Sequence, residues 1–248
     1  MRRLLSWLIP LVLGLLLGLA WPYLHRPPVV LNQDAVYPGV SARAAWVAGQ
    51  GGYLDIQPAQ GKAQTLLILY PGGLVRPQAY QWLGTALASD GVRTIIPAFP
   101  LDFAFFAPDR AGKLLAALKP PVGTRVVLAG HSLGGVFAVR DALKNRARVQ
   151  GLILLGSYPD GGTSLRGTDI RVLDLAAGRD GLSTPAKVRA GLARLPEGTQ
   201  LTVIPGSVHA FFGRYGPQAG DGTPTVDRAT AERAIVADIR GFLASLPQ

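Results

Sequence analysis

Eight short apolar runs, separated by helix-patterned segments, constrain this fold more than any other feature of the chain. They lie at 44–48, 52–57, 64–70, 92–97, 125–130, 149–155, 170–176 and 200–204. Runs such as QTLLILY and VQGLILL do not alternate polar with apolar residues, so the strands they predict are buried on both faces. Helical patterns fall near 76–90, 107–118, 133–144 and 184–194. A last one, near 225–246, puts Ile235, Ile239, Phe242 and Leu246 on one helix face. Strands alternating with helices imply a mostly parallel central sheet with helices on both faces, an α/β fold. The first two runs, joined by GQGG, predict an antiparallel hairpin.

At 248 residues the chain can fill one large core, and residues 44–248 are read as a single α/β domain. It has no cysteine, which excludes disulfides, thiol nucleophiles and zinc–thiolate sites. Its net charge of +10 rests mostly on arginines that are scattered, among them Arg43, Arg93, Arg125, Arg189 and Arg240. A nucleic-acid binder concentrates its basic residues in a stripe, so no nucleic-acid partner is expected. The histidines are scattered too and no H-E-x-x-H occurs, so no metal or other cofactor is expected.

The N-terminus carries a separate signal. After Arg2 and Arg3, residues 4–24 (LLSWLIPLVLGLLLGLAWPYL) contain no charge. As a helix they would extend about 31 Å, enough to cross a hydrocarbon core. Residues 1–24 therefore read as a single-pass membrane anchor with the arginines in the cytoplasm and the domain outside it. The alternative is a signal peptide, cleaved after Ala20 at the small residues Gly18 and Ala20, which would export the domain. Residues 25–43, with Pro27 and Pro28, read as a linker.

Ligands of such sheets bind beyond the carboxyl ends of the strands, so the chemistry is sought there. The run 125–130 leads into Gly130-His131-Ser132-Leu133-Gly134, a G-x-S-x-G followed by a helix. A sharp strand-to-helix turn of this kind holds a serine hydroxyl clear of the sheet, and its glycines let backbone pass closely. No Gly-Lys-Ser/Thr follows and no G-x-G-x-x-G occurs, so the turn suits a nucleophile rather than a phosphate.

A serine nucleophile needs a base, and histidine is the usual one. His25 lies beside the apolar N-terminal segment. His131 is next to Ser132 on a tight turn, so its side chain points away. His209 follows the run 200–204 and is the candidate base. The carboxylate that orients it is read as Asp180, after the run 170–176, with Thr184 and Pro185 opening the next helix; Asp160 is the alternative. One oxyanion donor is the N–H of Leu133, and the other comes from the YPGGLV loop, at Gly73 or Leu74. LDFAFFAP (101–108) and AFFGRY (210–215) could wall an apolar acyl pocket, though Phe103, Phe105 and Phe106 read more readily as core.

With these residues in place the chain resembles the α/β-hydrolase superfamily, and more narrowly the compact bacterial α/β-hydrolases akin to dienelactone hydrolases. The resemblance covers about residues 44–248. It rests on LYPGGLVRPQAY, AGHSLGGVFA, GRDGL and VHAFFGRYGPQAGDGTP. It implies an α/β-hydrolase fold with Ser132, Asp180 and His209 in that family's chain order. Dienelactone hydrolases proper use a cysteine nucleophile, so their substrate does not carry over. The segment joining the runs 149–155 and 170–176, where large lids insert in this superfamily, is short, so no large lid is expected.

The expectation is a serine hydrolase acting on an ester or related acyl bond of a small or lipid-like substrate. The alternatives are an acyltransferase on the same triad and a catalytically silent binding protein on the same fold.

Overall fold

The structure is a computed structural model that describes residues 2–24 and 39–247, with the side chains of the first helix described over residues 7–21. Eight strands form one sheet: β1 (Ala42–Val47), β2 (Tyr53–Pro58), β3 (Thr65–Tyr70), β4 (Val92–Pro97), β5 (Arg125–His131), β6 (Gly151–Leu155), β7 (Arg171–Ala177) and β8 (Gln200–Ile204). Their spatial order is β1-β2-β4-β3-β5-β6-β7-β8. The hairpin β1–β2 is antiparallel, as is the pair β2–β4. All other neighbours are parallel. Every residue of β3 and of β6 is buried, as their unbroken apolar runs require.

The helices are α1 (Arg2–Leu24), α2 (Gln81–Ala88), α3 (Arg110–Leu118), α4 (Leu133–Lys144), α5 (Pro185–Gly191) and α6 (Arg228–Ser245). Alternate strand residues feed two cores. Leu67 and Leu69 pack with Trp82 of α2 and with Ile235, Ile239 and Phe242 of α6. Leu66 and Ile68 pack with Leu114 of α3 and Ala138 of α4 on the other face. The β6–β7 connection, residues 156–170, holds no helix or strand, so no large lid inserts there.

The helix at the N-terminus corrects one expectation. No helix among the described residues is long and apolar enough to cross a membrane. The membrane partner and the single-pass location inferred from this segment are withdrawn with it. Most of the linker expected at 25–43, His25 included, lies outside the described residues.

Register aligns the carboxyl ends of the parallel strands. Tyr70 lies opposite Gly130, His131 opposite Leu155, Leu155 opposite Leu175, and Ala177 opposite Ile204. The loops leaving β3, β5, β7 and β8 therefore emerge on one rim.

Candidate active site

Ser132 sits between β5 and α4 with φ 52° and ψ −126°, a left-handed conformation that a non-glycine residue holds only when its surroundings impose it. Its N–H donates to the Leu155 carbonyl at 3.0 Å, and its own carbonyl accepts from Ser157 Oγ at 2.7 Å. The flanking glycines are required by close backbone approach. A Cβ on Gly134 would lie within 3.0 Å of the Pro71 and Tyr70 carbonyl oxygens, and one on Gly130 within 3.0 Å of Gly134 and Gly135. The turn is thus wedged between β3 and its own helix.

His209 is wholly buried, and its Nδ1 is 2.7 Å from Asp180 Oδ2. Asp180 Oδ1 is fixed by the N–H groups of Leu182 and Ser183 at 2.8 and 2.6 Å. With Nδ1–H donated to the carboxylate, Nε2 carries the lone pair. That Nε2 is buried and has no hydrogen-bond partner among the described residues. No hydrogen bond joins Ser132 Oγ to it among the described residues. Asp160, the alternative acid, pairs instead with Arg140.

The loop after β3 distinguishes the candidate oxyanion donors. Leu74 N–H donates to the Asp102 carbonyl at 2.9 Å, and Gly72 N–H donates to Tyr80 Oη at 2.9 Å. The N–H groups of Gly73 and Leu133 show no partner among the described residues. These two residues are neighbours, since a Cβ on Gly73 would lie 3.2 Å from Leu133 Cδ2.

Several supporting residues were not foreseen. Tyr80, wholly buried, bridges Gly72 N–H and His131 Nδ1, the latter at 2.7 Å. Burial raises the Tyr80 phenol, so it stays protonated. Accepting from Gly72, it donates its own proton to His131 Nδ1. Burial, and next the nearby His209, push the His131 imidazole well below its ordinary range, so it stays neutral. The two imidazole rings lie 4.4 Å apart between centroids. Asp221 holds the backbone of the His209 turn, accepting from the N–H groups of His209 at 3.0 Å and Ala210 at 2.9 Å. Arg228, from α6, donates to the carbonyls of Ala210, Gly213 and Tyr215 in the same turn. Asp221 was visible within the Gly-Asp-Gly stretch, but nothing in sequence spacing points to Tyr80 or Arg228.

The two aromatic stretches part company. In 210–215, Phe212 and Tyr215 are core residues. In 101–108, Phe105 and Phe106 are 45% and 49% exposed, and Phe103 is half-buried against Gly73. No group of residues able to hold a metal ion occurs among the described residues.

Comparison with known proteins agrees with this architecture. No curated protein matches the chain in sequence. Among solved structures, a predicted CIB-like hydrolase from Thermoplasma acidophilum superposes with a TM-score of 0.61 at 15% identity. The match spans 82% of this chain and 100% of that one, and at that identity it speaks for the fold alone. The family model described as "Alpha/beta hydrolase family" matches residues 66–233, from β3 into α6, and so the chain belongs to the alpha/beta hydrolase family.

Proposed function

We propose that the protein is a serine hydrolase that cleaves an ester or related acyl bond, with Ser132 as nucleophile, His209 as base and Asp180 as the acid that orients it. The observation that carries this reading is the buried His209–Asp180 pair, whose outer nitrogen is left without a partner on the rim that Ser132 occupies. His131 Nε2 is unpartnered too, but its Nδ1 faces the neutral Tyr80 phenol, whereas the His209 Nδ1 faces a carboxylate that can stabilise an imidazolium.

In this mechanism His209 Nε2 takes the Ser132 Oγ proton as Oγ bonds to the carbonyl carbon. The carbonyl electron pair moves to oxygen, and the oxyanion is held by the N–H groups of Gly73 and Leu133. Gly73 is preferred to Leu74 as the second donor because the Leu74 N–H donates to the Asp102 carbonyl. The tetrahedral carbon then expels the alcohol oxygen, which receives the proton from His209. A water, deprotonated by the same Nε2, attacks the acyl carbon. Collapse of the second tetrahedral species releases the acid and returns the proton to Ser132 Oγ. Asp180 keeps Nδ1 protonated throughout and stabilises the imidazolium.

The test is hydrolysis of p-nitrophenyl esters. The wild-type protein should release p-nitrophenol, and Ser132→Ala and His209→Ala should each lower kcat by about 10⁴-fold or more. Wild-type turnover equal to that of either variant would refute the assignment.

A further inference from the structure

Three phenylalanines form a continuous path leading away from the candidate oxyanion site, and two of them are half in solvent. A Cβ on Gly73 would lie 3.3 Å from the Phe103 ring. The Phe103 ring stacks on Phe105 at 5.0 Å between centroids, and Phe105 meets Phe106 at 4.3 Å. Phe137, one turn along α4 from Leu133, closes the side of this ledge at 6.4 Å from Phe105.

The backbone that presents the ledge is held under strain. Leu101, Asp102 and Leu74 all have left-handed φ, at 53°, 58° and 63°. None is glycine, so each is held there at a cost in backbone strain. The Leu74 N–H to Asp102 carbonyl bond clips the ledge loop directly to the oxyanion loop. Strain of this kind is held where geometry near a site matters, and here it fixes exposed apolar rings beside the donors.

We infer that the ledge of Phe103, Phe105 and Phe106 receives the acyl chain of the substrate, so that the hydrolase acts on esters of apolar, medium-chain acids. This rests on the serine-hydrolase reading above. Strand order decides which half of the ester lies there. Asp180 and His209 come from loops after β7 and β8, on one side of Ser132, and the leaving alcohol must depart toward His209 to collect its proton. The ledge lies on the opposite side, after β4 and beside the β3 loop, which leaves it to the acyl half. With one face of the chain on the rings and the other in water, each methylene is worth about a factor of two in binding, half of full burial.

The experiment compares kcat/KM for p-nitrophenyl esters from acetate to octanoate in the wild-type protein and in Phe105→Ser/Phe106→Ser. Both side chains are half-exposed, and the thermal midpoint of the variant checks that it folds. Phe105→Gln/Phe106→Gln, closer in size and equally polar, serves if it does not. The wild-type value should rise about 10- to 100-fold along the series, and the variant should flatten the rise to about threefold or less. A second series, alkyl esters of one short acid with lengthening alcohols, should respond little to the substitutions. The ledge assignment is overturned by a flat wild-type acyl series, by an unchanged rise in the variant, or by an effect confined to the alcohol series. Reaction of Ser132 with a small fluorophosphonate separates the two layers: a reactive serine with a flat series refutes the ledge alone. An unreactive serine with no ester turnover refutes the hydrolase reading and the ledge with it.

Discussion

Replacing Tyr80 by Phe removes one oxygen and breaks two buried contacts. The ring stays, so the packing of a wholly buried side chain is kept. What is lost is the acceptor for Gly72 N–H at 2.9 Å and the donor to His131 Nδ1 at 2.7 Å. A buried polar group left unsatisfied costs about 1–3 kcal/mol. Two such groups, partly relieved by relaxation, give a destabilisation of about 2–4 kcal/mol. For a domain of this size that lowers Tm by roughly 5–15 °C. The catalytic effect has a separate origin. Gly72 anchors the loop that carries Gly73 N–H, and loss of an oxyanion donor costs about 10²–10³ in kcat. Loosening the donor without deleting it should cost on the order of tenfold in kcat, with KM little changed. Tyr215→Phe is the control: Tyr215 is equally buried, and its hydroxyl donates to Gln218 rather than bonding Gly72 or His131. Thermal melts and steady-state kinetics on both variants decide the matter. Tyr80→Phe with wild-type Tm and kcat, or a kcat loss matched by Tyr215→Phe, would refute the reasoning.

Further substitutions probe the remaining contacts. Asp180→Asn keeps an Oδ1 that can accept from Leu182 and Ser183 but turns an amide toward His209 Nδ1. The imidazole is forced into the wrong tautomer, and kcat should fall about 10⁴-fold with Tm little changed; a loss under tenfold contradicts the assigned role. Asp221→Ala removes the acceptors of the His209 and Ala210 N–H groups, one on each carboxylate oxygen, so kcat should fall at least tenfold, with Asp221→Asn, which keeps one acceptor oxygen, recovering part of it. Equal losses in the two variants would sink that explanation. Asp174, wholly buried in β7 with neither carboxyl oxygen bonded, has its carboxyl pushed well above the usual range by desolvation. A raised folded-state value means that its contribution is fully present below the unfolded value near 3.9 and is lost as pH rises. Asp174→Asn removes that slope, so its Tm relative to wild type should climb between pH 4 and pH 8. A difference that stays constant with pH would show that Asp174 does not titrate this way.

Much of the fold was legible in the sequence, because strands buried on both faces must be continuously apolar. The runs at 64–70 and 149–155 became β3 and β6 within one or two residues. The antiparallel start was legible for the same kind of reason, since GQGG permits only a tight return. Apolarity misled at the N-terminus, where an uncharged run was taken to be a membrane crossing and no described helix meets that requirement. Within the site, Ser132 was marked by glycines that backbone crowding makes necessary, and Asp180 and His209 by their places after strands. The reason for proposing Gly73 over Leu74 was not legible, because it is a hydrogen bond from Leu74 to Asp102, a residue distant in sequence. Tyr80 acts through a hydroxyl 51 positions from its histidine partner, and no local pattern records such a contact. Phe105 and Phe212 look alike as letters, yet one is half in solvent and the other is core.

The central claim is that Ser132 is an activated nucleophile. The most direct measurement is intact-protein mass spectrometry after treatment with a fluorophosphonate, followed by mapping of the modified peptide. The account predicts one adduct per chain, on Ser132, lost in Ser132→Ala and strongly slowed in His209→Ala. A wild-type protein that stays unmodified, or an adduct that persists in Ser132→Ala, would contradict it.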